Sequence, residues 1–198
     1  MLDLDPAARE MICLLEGVAD DQLADPTPCT DTTVGALLDH ITGLTLAFTL
    51  AAHKSTPPAG DTTGSGPPKP SADTLDPNWR TVLPERLGAL VGAWRDPAAW
   101  EGTAEAGGVT MPAADMGLVA LDELVLHGWD LARATGQPFR CDEQSTAAVL
   151  AFTTASAQPE FAGSRDGLFG PVVDVPPDAP AFDRALGLAG RDPAWAPG

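Results

Sequence analysis

Glu123 and His127 lie four residues apart in the run DELVLHGWDLARATG, and His40 lies far upstream in TTVGALLDHITGLTLAF. Four residues of α-helix turn through about 400°, so Glu123 and His127 would share one face about one turn apart. His40 would complete the set from a second helix. Two imidazoles and a carboxylate form a donor set used for catalytic zinc and non-haem iron, where an open coordination position gives water or substrate access to a Lewis acid. With Glu123 as reference and about 100° per residue, His127 falls about 40° round the helix and Asp130 about 20° the other way. Asp130 is therefore expected to orient an imidazole, or to bind cofactor or substrate, rather than to close the site as a fourth ligand. His53, thirteen residues beyond His40, points about 220° away and is excluded as a ligand. Asp39 is expected to face water. The competing reading is a solvent-facing Glu, His, Asp stripe with no ligand role. Against it stand Leu121, Leu124, Val125, Leu126 and Leu131 around the same helix, because a buried carboxylate must be paired, hydrogen-bonded or metal-bound.

The elements that must position these residues are legible as amphipathic periods. Ala8, Met11, Ile12, Leu15 and Val18 recur at helical spacing, predicting a helix over 7–18 that Pro26 and Pro28 end. A second helix is expected from Thr32 or Thr33, either able to cap it, to about Ala52. Residues 55–72, rich in Pro, Gly, Thr and Ser, read as a mobile loop. Asp76-Pro77 predicts a third helix to about Trp94, kinked at Pro84 or delayed to it. A fourth helix is expected over Pro112–Thr135, closed by a left-handed Gly136, and a fifth over Glu143–Ala157, capped by Asp142. Residues 160–198 read as an extension with one short helix near Ala181–Leu188. At most a brief strand is expected, in VTM or PVVDV. The fold class is thus all-α: one domain, 1–198, built as an antiparallel four-helix bundle with an extra C-terminal segment, an architecture that makes metal sites from inward-facing side chains of different helices.

Composition narrows the function classes. The chain has 198 residues, a hydrophobic fraction of 44%, and 28 acidic against 11 basic side chains for a formal charge of −17. That field repels phosphate backbones and anionic lipid surfaces, and the basic residues are scattered singly, so no nucleic acid and no membrane partner is expected. A bound divalent cation would supply local positive charge for an anionic substrate. The acidic N-terminus MLDLDPAARE lacks the form of a secretory signal and no stretch reads as membrane-spanning, so a cytoplasmic protein is expected. Cys13, Cys29 and Cys141 fit neither a disulfide framework nor a CxxC zinc motif. They read as reduced thiols, two or more of them buried, with Cys29 placed before a helix N-terminus whose dipole would favour a thiolate. The five tryptophans read as packing residues. No GxSxG elbow or Gly-rich phosphate loop is present.

The segments PTPCTDTTVGALLDHITG, DELVLHGWDLARATGQPF and LFGPVVDVPPDAPAFDRALGLAGRDPAW resemble an actinobacterial metal-binding family. That family is related to the metal-binding domain of mycothiol-dependent maleylpyruvate isomerase, within the DinB-like four-helix-bundle superfamily. The resemblance spans nearly the whole chain, with HGWDLARATG and GRDPAW its more specific parts. It implies metal ligation by His40, Glu123 and His127. Two departures stand out: CTDTT replaces a run of the form CEGWT, so a tryptophan at the site mouth has no counterpart, and the isomerase's separate C-terminal domain is not expected here. Both point away from maleylpyruvate isomerisation itself. The expected function is a divalent-metal-binding protein, zinc before nickel, iron or manganese, in which the ion activates a small thiol such as mycothiol toward an electrophile. This would be a transferase or isomerase-like enzyme; the alternative is a non-catalytic metal or small-ligand binding protein or an interaction module. A homodimer is compatible with either.

Overall fold

The computed structural model describes residues 1–55, 69–161, 165 and 168–197. Most of the expected mobile loop, 56–68, lies outside the described residues. Four helices form the bundle: α1 (Asp5–Glu16), α2 (Val34–Ala52), α3 (Trp79–Trp94) and α4 (Ala113–Thr135). Helix α1 packs on α3 and α4, and α2 packs on the same two, closing a ring of neighbours. Two further helices, α5 (Glu143–Ser156) and α6 (Ala181–Leu188), pack on one another, and α5 also lies against α4. Leu37, Leu38, Leu83, Leu87, Leu90 and Leu131 are completely buried at the centre, each such side chain contributing about 1.5–3 kcal/mol on leaving water.

Local chemistry explains most boundaries. The Thr33 hydroxyl caps α2 by accepting the Ala36 amide at 3.3 Å, and Asp142 caps α5 by accepting the Ser145 amide at 3.0 Å. Gly136 takes φ 70° and ψ 21° and closes α4 as expected. Other expectations need correction. Helix α1 ends at Glu16, with Gly17 as its cap, well before Pro26; a short 3₁₀ turn, Asp20–Ala24, fills the interval. Helix α3 neither begins at Asp76 nor waits for Pro84, but starts at Trp79 and runs through the proline. Asp76 instead accepts the Asn78 amide just before the helix, at 2.8 Å. Arg80, whose carbonyl loses its helical partner at Pro84, is exposed, so water can serve it.

Between α3 and α4 runs a hairpin, β1 (Thr103–Ala106) with β2 (Val109–Pro112), antiparallel with Ala106 opposite Val109 and Gly107-Gly108 at the turn. The brief strand expected in VTM is β2; its partner was not foreseen, and PVVDV forms no strand among the described residues. Helix α2 is, against expectation, long and apolar enough to cross a membrane, yet it is the core helix between α3 and α4. Its buried hydroxyls stay within the helix: Thr42 donates to the Leu38 carbonyl at 2.7 Å and Thr45 to that of Thr42 at 3.0 Å. None of the three cysteines is fully buried: Cys13 is exposed, Cys29 and Cys141 half-buried. Burial raises the Cys141 thiol to about 11. Cys29 lies five residues before Val34 in a turn, with the helix end taken by the Thr33 cap. Asp39 does not simply face water; its carboxylate accepts the Ser71 amide at 3.1 Å and the Thr74 hydroxyl at 2.8 Å, pinning the returning chain to α2.

Candidate metal centre

Contact between α2 and α4 brings His40 against Glu123 and His127. One ligand atom from each of the three lies within 4.8 Å of the others. The Glu123 Oε2 atom is 2.9 Å from His127 Nε2 and 3.8 Å from His40 Nε2. The imidazole rings meet edge to face, with centroids 4.9 Å apart and planes at 86°. His53, at the α2 C-cap, is not in the cluster. Exposure grades across the site, from 7% for the His127 side chain through 18% for Glu123 to 35% for His40. The centre is therefore closed on the α4 side and open past His40.

Behind His127 the site is built by charges. Asp130, one helical turn on, places Oδ2 3.0 Å from His127 Nδ1 and is completely buried. That contact fixes the ring and leaves Nε2 directed at Glu123. Asp130 is in turn gripped from the C-terminal segment: Arg191 donates from Nη2 to Oδ2 at 2.9 Å and from Nε to Oδ1 at 3.2 Å. A third donation, from Nη1 to the Ala189 carbonyl at 3.0 Å, ties the guanidinium to its own backbone. Such a bidentate fork is strong and directional.

The ionisation states follow. Burial works against the Glu123 carboxylate, but the hydrogen bond from His127 and the neighbouring His40 outweigh it and hold its pKa far below the usual carboxylate range. Burial likewise disfavours charge on His127, yet Asp130 and Glu123 on either side raise it to about 10. Asp130, despite burial, is held low by the Arg191 charge and by His127. Arg191 is buried too, and Asp130 drives its pKa upward. The neighbouring carboxylates thus favour positive charge at His127, between Asp130 and Glu123. The donor chemistry of the site fits a borderline divalent ion, with the second nitrogen of His127 already committed to a carboxylate.

Two residues of the site were not foreseen. Arg191 belongs to GRDPAW, but helical phase says nothing about where a tail docks. The only signal was indirect: a buried Asp130 needs a cation, and the tail supplies arginines. Asp122, next to Glu123, is 2% exposed and its Oδ1 has no hydrogen-bond partner among the described residues. Burial, and then the Glu123 charge, raise its pKa well above the usual range. Nothing in the local sequence marks it.

A family model for the mycothiol maleylpyruvate isomerase N-terminal domain matches residues 4–132. The chain belongs to that family. The matched span contains His40, Glu123, His127 and Asp130, while Arg191 lies beyond it. The chain is also similar to two uncharacterized proteins of Mycobacterium tuberculosis, MT0763 of strain CDC 1551 and Rv0738 of strain H37Rv. Each is 29% identical over 190 residues, covering 90% of both chains. The crystal structure of the mycothiol-dependent maleylpyruvate isomerase superposes with a TM-score of 0.62 at 17% identity, over 98% of this chain and 79% of that one. Its histidine-to-alanine mutant gives 0.57 at 19% identity, over 76% and 66%. At these identities the likeness is one of fold, and it bears out the DinB-like bundle expected from the sequence.

Proposed function

We propose that the chain holds one divalent ion, zinc before nickel, iron or manganese, through His40, Glu123 and His127, and uses it in a thiol-dependent transferase or isomerase-like reaction with mycothiol as the thiol. The observation that carries this reading is the convergence of three donors from two helices, within 4.8 Å, at a site open on one side. Family membership supports the choice of thiol. When bound, such an ion acts as a Lewis acid that depresses a thiol's pKa and presents the thiolate.

The chain's own residues do the rest. Asp130 keeps the His127 Nδ1 proton in place, so an ion entering the cluster would displace the Nε2 proton and take that lone pair. Leu37 and Leu126 are both buried in the apolar core that the two ligand-bearing helices share. Substrates reach the centre past His40, the most exposed of the three donors. In a chain of net charge −17, an anionic electrophile is otherwise repelled, so the centre is the point of local attraction.

Elemental analysis of protein purified without chelators should find about one ion per chain, and His127→Ala should lose it. Mycothiol with a panel of electrophiles should then give metal-dependent turnover. Absence of stoichiometric metal, with full activity in His127→Ala, would overturn the reading. Saturable binding without turnover would instead leave a metal-binding protein and remove the enzyme.

A further inference from the structure

The family match ends at residue 132, but α4 is fastened to the C-terminal segment by two arginines pointing in opposite directions. From the tail, Arg191 forks onto Asp130. From α4, Arg133 donates through Nε to the Trp195 carbonyl at 3.0 Å and through Nη2 to the same oxygen. The tail between them is held in a specific path. Gly190 adopts φ +81°, and a Cβ there would lie 2.7 Å from the Gly170 backbone. Gly187 has room for no Cβ either, which would meet Val175 at 2.4 Å and the Val173 carbonyl at 2.7 Å. Arg165 secures the same crossing by donating to the Gly170 carbonyl at 2.8 Å and the Leu188 carbonyl at 2.5 Å. Arg191 itself is only 7% exposed, and its hydrogen bonds go to Asp130 and the Ala189 carbonyl rather than to the three donors. Its partner Asp130 does reach a donor, through His127 Nδ1.

We propose that residues 187–195 form a latch whose docking is coupled to the metal centre, with Arg191 as the positioning residue that holds Asp130 and thereby fixes His127 for ligation. This rests on the metal-centre reading above. An undocked tail leaves Asp130 without its fork, free to turn, and the His127 ring with it. Carboxylate partners of ligating histidines commonly change metal affinity by about 10–100-fold, and linkage requires that the ion favour tail docking by the same factor.

Zinc titration of the full chain against a chromophoric chelator, with hydrogen exchange of residues 182–196, tests this. In the wild type, saturating Zn²⁺ is expected to slow exchange of the 186–195 amides about tenfold or more. Arg191→Met, checked for native helicity, is expected to bind Zn²⁺ about 10–100-fold more weakly. Arg191→Lys, which keeps the charge but not the fork, should fall between the two. Gly190→Ala should weaken binding in the same direction by displacing the crossing. A purely structural role would lower the melting temperature of these variants and leave the Zn²⁺ affinity of the folded protein unmoved, which overturns the latch. Unchanged exchange in the wild type, even if every variant fails to fold, overturns it too. If the wild type binds no Zn²⁺ that His127→Ala abolishes, the metal centre and the latch fall together; if it does and Arg191→Met matches it within twofold, only the latch falls.

Discussion

The two halves of α4 are built on opposite principles. Its N-terminal half is held by shape. Gly117 admits the rings of Trp94 and Trp100 so closely that a Cβ would meet them at 2.5–2.8 Å. The two rings pack edge to face at 4.9 Å, and their indole N–H groups donate to the Phe48 carbonyl at 3.1 Å and the Trp94 carbonyl at 2.8 Å. Two turns later the same helix is held by charge, with Glu123, His127, Asp130 and Arg191 in sequence through the interior. Around Gly117 the contacts are made by rings and backbone, whereas Glu123, His127 and Asp130 are each tuned by a charged neighbour. One half can stabilise the bundle without constraining chemistry, and the other can host chemistry because the bundle is already stable.

That division can be broken deliberately. Trp94→Ala should cost about 3–5 kcal/mol in urea unfolding, while Zn²⁺ affinity of the folded fraction stays within a few-fold. His127→Ala should do the reverse, weakening Zn²⁺ binding by more than the roughly 100-fold range seen for outer partners, as read by competition titration. A loss of metal in the first variant, or its retention in the second, would mean that the halves are not separable. Gly117→Ala should cost about 1–3 kcal/mol through overpacking against the indoles, with the tryptophan near-UV circular dichroism perturbed and the metal centre untouched. The smallest effect is expected outside both halves, at the α5 cap. There partial burial opposes the Asp142 charge, but hydrogen bonds from Ser145 and the neighbouring amides hold its pKa low. A depressed pKa contributes stability that is present above the unfolded value of about 3.9 and lost as pH falls through the folded one. Asp142→Ala should therefore cost about 1 kcal/mol at neutral pH and flatten the acid limb of the stability curve.

How much of this was legible depends on whether the cause was local. The phase of Glu123, His127 and Asp130 is a property of one helix, so their shared stripe could be read from spacing. Caps at Thr33 and Asp142 and the left-handed Gly136 are likewise decided within a few residues. The pairing of α2 with α4, which delivers His40, is tertiary; His40 was put forward on donor chemistry and strengthened by family resemblance, because periodicity cannot reach it. At Pro84 the delayed start did not occur, since the helix begins at Trp79 and contains the proline, and the exposed Arg80 leaves the orphaned carbonyl to water. Asp39 was misjudged because its partners, Ser71 and Thr74, sit 32 and 35 residues away. Arg191 stayed hidden for the same reason, since no local pattern says which interior carboxylate a tail will reach.

The Asp130–Arg191 pair also bears on how the protein may be cut. A fragment ending with the shared bundle would retain every candidate donor yet strand an ionised carboxylate in the interior without its counter-charge, a defect costing several kcal/mol. Poor expression or weak metal content in such a fragment would then report on truncation, not on the chemistry of the intact chain.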